Sequence, residues 1–243
     1  MPSTSRTSLT VGGIKVEVVR KDIKNLHLGV YPPNGRVRVA VPLQIDDEAV
    51  RLAVVNKLSW LKKQIAAFDR QPRLPEAEAV SGESWYVFGQ RYRLLVVETK
   101  GKPEVQKPGK TRLELHVPSR SSKDARLAVL DRWYRRQLRE SADLVLAEWE
   151  LKIGVQASFW GLKRMKTKWG SCNHETGRIW LNSELAKKPF ECLEYIVVHE
   201  LIHLVEPSHD ENFVRLMDRY LPNWQSVRDI LNSTPLAHED WIY

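Results

Sequence analysis

The sequence predicts an α+β protein with a β-rich first part and a more helical second part. In the first third, apolar residues alternate with polar ones, which is the period of half-buried strands. From about residue 123 onward, apolar residues recur mainly at helical spacing. A chain of 243 residues can bury a substantial core. We therefore expect a β-rich region with one helix over residues 1–122, and a second region over residues 123–243 that opens with a long helix.

The first strands are expected at residues 14–18, 26–30 and 37–41, where the apolar positions alternate. A turn signal at residues 32–35, Pro-Pro-Asn-Gly, joins the last two into a hairpin. Asp46 or Asp47 can cap a single helix whose apolar face runs from Val50 to Phe68. Pro72 and Pro75 end that helix.

The middle of the chain continues with strands at residues 84–88 and 91–98, joined through Gly89 and Gln90. Residues 100–110 are polar and predict a loop or linker. A strand around residues 113–117 comes next, and a long amphipathic helix then spans about residues 123–150.

The last part contains two expected strands and three expected helices. The strands lie at residues 159–168 and 178–182, with residues 170–173 in the connection between them. A helix begins near Pro189, where proline is tolerated, and must stop at Pro207. Two further helical faces include residues 213–220 and 227–231.

The composition is typical of a globular protein, with 42% hydrophobic and 28% charged residues. The N-terminus carries no apolar signal segment, and no apolar run approaches the roughly 18 residues of a membrane span. The two cysteines do not make a disulfide framework, so we expect reduced thiols in a cytoplasmic protein. The net charge of +8 would suit an acidic partner, but its even spread favours a solvated surface. The oligomeric state is not predicted.

The segment from residue 199 to residue 203, His-Glu-Leu-Ile-His, is the strongest chemical signal in the chain. On a helix, His199 and His203 lie on one face about 6 Å apart, so both imidazoles can reach one metal ion. Zn–N bonds of about 2.0–2.1 Å suit that arrangement. Glu200 can act on a water at the metal, which predicts a zinc-dependent hydrolase with Glu200 as general base.

A catalytic zinc ion usually has three protein ligands. His209 lies ten residues after His199, which is the spacing of metzincins. Metzincins place a glycine in the turn, whereas this chain has Glu206, Pro207 and Ser208. Glu206 is the rival third ligand, because it shares the face of both histidines if the helix continues.

Together with a second segment, residues 166–173 (Lys-Thr-Lys-Trp-Gly-Ser-Cys-Asn), the histidine motif resembles the YgjP-like metallopeptidases. These are bacterial and archaeal relatives of the SprT-type zinc proteins. The resemblance is specific between about residues 163 and 213 and looser elsewhere. It extends to residues 177–182, 35–39 and 88–92.

The resemblance implies a compact zincin-like core, in which a small antiparallel sheet covers the motif helix. Zinc would lie between that helix and the ligand after it. The outer strand, expected at residues 178–182, could pair with an extended peptide or be simple scaffold. Candidate substrate-binding residues are Trp169, Arg178, Trp180 and Asn182, and the two tryptophans could wall the cleft.

Three functions therefore stay open. The leading one is a zinc metallopeptidase that acts on a peptide or protein. The second uses the same metal to cleave a nucleoside triphosphate at a phosphoanhydride. The third is a nucleic-acid-associated module with structural zinc, although the sequence has neither a zinc ribbon nor a clear recognition helix. The cations that could hold phosphates in the second hypothesis are Lys163, Arg164, Lys166, Lys168 and Arg178.

Overall fold

A computed structural model describes residues 5–31, 35–70, 77–165 and 168–233 of the chain. The fold is mixed α and β, as predicted, and it divides into two compact units between residues 76 and 77. The boundary expected after residue 122 falls inside the second unit. The reason is that strands before residue 122 share one hydrophobic core with the helix after it.

The first unit contains a four-stranded sheet in the order β1-β2-β4-β3. The predicted hairpin is present, because β3 pairs antiparallel with β4. β1 is a strand that the alternation of apolar residues did not reveal, and it pairs antiparallel with β2 along its full length. The strands are β1 (Ser5–Val11), β2 (Ile14–Lys21), β3 (His27–Tyr31) and β4 (Arg36–Pro42).

Two helices follow where a single one was expected: α1 (Asp47–Asn56) and α2 (Leu58–Arg70). Asp46 caps α1, since its carboxylate accepts a 2.8 Å hydrogen bond from the backbone N–H of Ala49. The prediction of one continuous helix was wrong because Lys57 leaves helical geometry, at φ −110° and ψ 10°. The two prolines expected to end the helix lie outside the described residues.

The second unit begins with another four-stranded sheet, in the order β5-β6-β8-β7. One face of this sheet packs against the long helix α3, and the apolar residues of both form one core. β7 is a short strand within the segment that was expected to be a loop. The elements are β5 (Ser84–Val87), β6 (Gln90–Glu98), β7 (Glu104–Gln106), β8 (Arg112–Val117) and α3 (Lys123–Ile153).

A three-stranded sheet comes next, built from β9 (Phe159–Lys163), β10 (Gly170–Asn173) and β11 (Arg178–Asn182). Its order is β10-β11-β9, with β10 antiparallel and β9 parallel to β11. The sheet is therefore mixed, and not wholly antiparallel. The expectation that β11 is the outer strand was wrong: β11 is the central strand, because the short polar strand β10 pairs with one of its edges and β9 with the other.

The remaining elements surround the motif helix, α4 (Phe190–Ile202). A 3₁₀ helix (Ser183–Lys187) precedes it, and α5 (Glu211–Tyr220) and α6 (Trp224–Ser233) follow. α4 contacts the three-stranded sheet, α3, α5 and α6, which explains why it is apolar on nearly every side. It ends at Ile202, earlier than the stop expected at Pro207. Within the described residues, no helix is both long and apolar enough to cross a membrane.

Candidate metal centre

Three imidazole rings converge at the end of α4. His199 lies in the last turn of the helix, His203 is its C-terminal cap, and His209 comes from the loop that leads to α5. The Nε2 atoms of His199 and His203 are 3.2 Å apart. The Nε2 atom of His209 lies 3.0 Å from that of His199 and 3.1 Å from that of His203. The structure thus brings together the three histidines that the motif and its spacing singled out.

Hydrogen bonding among the rings cannot explain this cluster. A neutral imidazole nitrogen either donates or accepts, so three nitrogens in a triangle always leave two lone pairs, or two protons, facing each other. A cation bound by all three lone pairs removes that conflict. Two nitrogen ligands of a tetrahedral zinc ion are about 3.3 Å apart, given Zn–N bonds of about 2.0–2.1 Å. The donor set therefore fits one transition-metal ion.

The far side of the His203 ring is held by the chain after the helix. Its Nδ1 lies 3.0 Å from the carbonyl oxygen of Glu206, so it can donate there and leave the Nε2 lone pair free. The carboxylate of Glu206 accepts instead from the backbone N–H of Ser208, at 3.3 Å. The third imidazole of the cluster is therefore that of His209. Glu206 contacts the cluster only through its backbone carbonyl, which faces Nδ1 of His203. The buried Nδ1 of His199 has no hydrogen-bond partner within the described chain.

The surroundings favour neutral imidazoles, which is the form that binds metal. Burial, together with the neighbouring His203 and His209, lowers the pKa of His199 to about 3. Burial also lowers the pKa of His203, although the hydrogen bond to Glu206 opposes that effect. Protonation would place like charges within hydrogen-bond distance of one another.

The ring of Phe213 packs against all three imidazole rings, a role that the sequence did not reveal. Its ring centroid lies 4.9 Å from that of His199 and 4.7 Å from those of His203 and His209. Asp210 fixes the position of Phe213 by capping α5: its carboxylate accepts from the backbone N–H groups of Asn212, at 2.9 Å, and Phe213, at 3.1 Å. The sequence signal that could have revealed this role is Asp210, an acidic residue of the N-cap type three positions before the first apolar residue of a helical face.

Glu200 is 4% exposed and lies against the edge strand β10. A Cβ atom at Gly170 would come within 2.8 Å of both Glu200 Cγ and Ile196 Cγ2, so only glycine fits there. Burial raises the pKa of Glu200 to about 8, and Lys168 opposes this shift. A bound divalent cation would also act against it, because nearby positive charge favours a carboxylate. Because Gly170 has no side chain, the carboxyl group of Glu200 has space to lie against β10.

Trp180 and Arg178 lie away from the imidazoles. Ile179 and Leu181 are fully buried in the core with α4, so the intervening Trp180 projects from the opposite face of β11. Its ring packs on that of Phe159, with centroids 5.3 Å apart. The guanidinium of Arg178 lies 4.8 Å from the centroid of the same Phe159 ring.

Asn182 and Trp169 also have structural contacts. The Asn182 side chain is 4% exposed and donates two 2.8 Å hydrogen bonds, to the carbonyls of Met165 and Lys168. It thereby ties the chain before β10 to the end of β11. Trp169 is half-buried, and the ammonium group of Lys188 lies 5.4 Å from its ring centroid. The structure groups none of these four candidate substrate-binding residues with the three imidazoles.

Two solved structures show local similarity to this chain. The crystal structure of the metallopeptidase zymogen of Pyrococcus abyssi abylysin is 19% identical, with a TM-score of 0.35; the alignment covers 39% of this chain and 99% of that one. The corresponding zymogen of Methanocaldococcus jannaschii, jannalysin, is 23% identical, with a TM-score of 0.34 and coverage of 37% and 92%. Similarity this low supports no inference about structure or mechanism. Among curated proteins, no sequence shows significant similarity to this chain.

A sequence model of a protein family matches most of the chain. The sequence model of the YgjP-like metallopeptidase domain matches residues 24–234, which include the second unit, the part of the first unit from β3 onward and all three clustered histidines. Membership of a metallopeptidase family implies a peptidase that uses a metal ion, in agreement with a cluster that hydrogen bonds alone cannot explain. The chain belongs to the family of YgjP-like metallopeptidase domains.

Proposed function

We propose that this protein is a zinc-dependent peptidase in which His199, His203 and His209 hold the ion and Glu200 is the general base. The observation that carries the proposal is the triangle of Nε2 atoms, 3.0–3.2 Å on each side, one residue from a buried carboxyl group. Three neutral imidazoles are a known ligand set of catalytic zinc, which leaves the fourth position for water or substrate. Bound there, a zinc ion would supply Lewis acidity, which polarises a carbonyl group and makes water more acidic.

Glu200 performs the proton transfers in this proposal. Its carboxylate accepts a proton from the water that attacks the scissile carbonyl, and the same group then donates that proton to the leaving amine. Contact with Gly170 holds the carboxyl group at the edge strand, where an extended substrate would lie. The low solvent exposure of Glu200 strengthens its interaction with charge that develops in the reaction.

The substrate pairs with β10, and not with β11 as the sequence suggested. The backbone N–H of Asn182 donates to the carbonyl of Trp169 at 2.9 Å, which makes these two a hydrogen-bonded pair. Because bonded and non-bonded pairs alternate in an antiparallel ladder, Gly170 and Cys172 direct their N–H and C=O groups to the open side. A peptide added there as a further strand would run directly past Glu200.

Metal content and cleavage of an unfolded protein such as casein test this proposal together. We expect the purified protein to contain one zinc ion per chain and Glu200→Gln to keep that ion but lose nearly all activity. His203→Ala should lose both. Stoichiometric metal in His203→Ala, or full turnover by Glu200→Gln, would contradict the assigned roles.

Matched controls come from the same residue types elsewhere in the chain. Glu191→Gln changes an exposed carboxylate in the first turn of the same helix, and His27→Ala removes an exposed histidine of the first unit. Both should retain zinc and activity. The same assays with a panel of nucleoside triphosphates address the second hypothesis. Two of the cations that this hypothesis would use have other contacts: Arg164 pairs with Glu184 at 3.6 Å, and Arg178 lies over Phe159.

A further inference from the structure

A cavity of about 660 Å³ opens on the face of the four-stranded sheet β5-β6-β8-β7 that points away from α3. Its size is in the range of sites that hold a small ligand. Arg91, Arg93 and Arg112 project into it from two adjacent strands. None of the residues that line this cavity belongs to the metal centre. The other lining residues are Ser81, Gly82, Ser84, Tyr92, Leu94, Leu95 and Thr111.

The lining offers hydrogen-bond donors and no carboxylate. Arg91 and Arg93 have no acidic partner among the residues that the structure describes, whereas Arg112 pairs with Glu114 at 3.0 Å. The Ser81 hydroxyl accepts a 2.9 Å bond from the backbone N–H of Val96, so its own proton can be donated elsewhere. Positive charge and hydroxyl donors together are a lining that suits an anion with several acceptor oxygens.

The register of the strands brings like charges side by side. Arg93 lies directly beside Arg112 on β8, and Ser84 lies beside Arg93 on its other side, on β5. Adjacent strands are about 4.8 Å apart. Arg91 is two residues along the same face of β6, about 7 Å away. The register therefore concentrates positive charge on one small area of the sheet face, which an anion would counter.

We propose that this cavity, the arginine cavity, binds a small ligand with two or more linked phosphate groups. The three arginines occupy neighbouring positions on one sheet face, about 4.8 Å apart across the strands and about 7 Å apart along β6, so their positive charge is compact. A nucleic acid strand, by contrast, needs cations along a track. Here the same sheet face turns acidic beyond Arg112, with Glu114 on β8 and Glu104 at the far edge on β7. The compact charge therefore favours a linked phosphate group over a nucleic acid backbone.

Calorimetric titration of the full chain with inorganic tripolyphosphate and with ATP tests the proposal. Arg93→Gln should weaken the binding of tripolyphosphate about tenfold, because it removes a charge-assisted contact at the centre of the arginine cavity. Arg136→Gln is the matched control: it removes the same charge from an exposed position on α3 and should leave the dissociation constant unchanged. The metal centre is intact in both variants, so any binding of the probe there would persist in both.

The dissociation constants of the three probes and the two variants show whether the arginine cavity binds linked phosphates. Equal affinity for ATP and tripolyphosphate supports recognition of the phosphates alone, and tighter binding of ATP supports the same site with an added nucleoside contact. Absence of saturable binding would overturn the proposal, as would equal weakening in both variants or no weakening in Arg93→Gln. Tighter binding of a single-stranded oligonucleotide than of tripolyphosphate would also overturn it, in favour of a nucleic acid surface.

Discussion

Gly170 is the residue that allows a buried carboxyl group to approach the edge strand. Any side chain at this position would need the space that Glu200 and Ile196 occupy. We expect Gly170→Ala to displace Glu200 or β10 and to lower peptidase activity about 100-fold, since small misplacements of a catalytic group have large effects. Activity and zinc content of the purified variant measure this effect, and the zinc should stay bound.

A matched control for this substitution is Gly109→Ala. Gly109 has open space around its Cα and no positive φ angle, so alanine fits there without strain. Equal activity losses in the two variants, or wild-type activity in Gly170→Ala, would show that the contact with Glu200 is not what constrains this position.

Asn182 illustrates how a polar residue near a site can serve the fold. Because its side chain is buried and donates to Met165 and Lys168, Asn182→Ala should leave those carbonyls without their donors. We expect a loss of about 1–3 kcal/mol in the free energy of unfolding, measured with urea. An unchanged stability combined with a raised KM would instead support the predicted role of Asn182 in substrate binding.

At the scale of elements, the third imidazole depends on how α5 begins. Asp210 directly follows His209, and its cap orders the first turn that carries Phe213. Asp210→Ala should cost about 1 kcal/mol of stability and weaken zinc binding, because the loop that carries His209 loses its anchor. Competition with a chromogenic chelator measures the zinc affinity.

The comparison for this prediction is Asp46→Ala, which removes the equivalent cap of α1 in the first unit. Its cost in stability should be similar, but the zinc affinity should not change. If both variants bind zinc equally well, the cap does not position His209.

At the scale of the whole molecule, the hydrophobic core of the second unit determines which fragments of the chain can fold. Leu94, Leu113 and Leu115, from β6 and β8, are buried together with Trp133 and Leu138 of α3. A fragment of residues 77–243 retains this core, and we expect it to fold and to bind one zinc ion per chain. A fragment of residues 123–243, cut at the expected boundary, exposes the apolar face of α3 and should not fold.

Circular dichroism with thermal unfolding, together with metal analysis, separates these cases. A cooperative transition and bound zinc in the shorter fragment would support the boundary that the sequence suggested. Failure of the longer fragment would mean that the second unit requires the first.

Periodic patterns in the sequence located most elements, because apolar alternation and helical spacing reflect burial directly. The elements that were missed are β1, β7 and β10, which have short or polar sequences, and the break between α1 and α2. In the three strands, pairing with the next strand along the chain outweighs the weak signal in the residues themselves. Between α1 and α2, the local departure from helical geometry at Lys57 has the same effect.

Local spacing was enough to place His199, Glu200 and His203 together, because a helix sets the positions of residues four apart by its own hydrogen bonds. Tertiary structure decided the rest of the site. It selected His209 over Glu206 through the end of α4 and the cap of α5, made β10 the edge strand, and turned Trp180 away from the imidazoles. Those outcomes depend on contacts between different helices, strands and loops, and the sequence of any one of these elements does not contain the energies of those contacts.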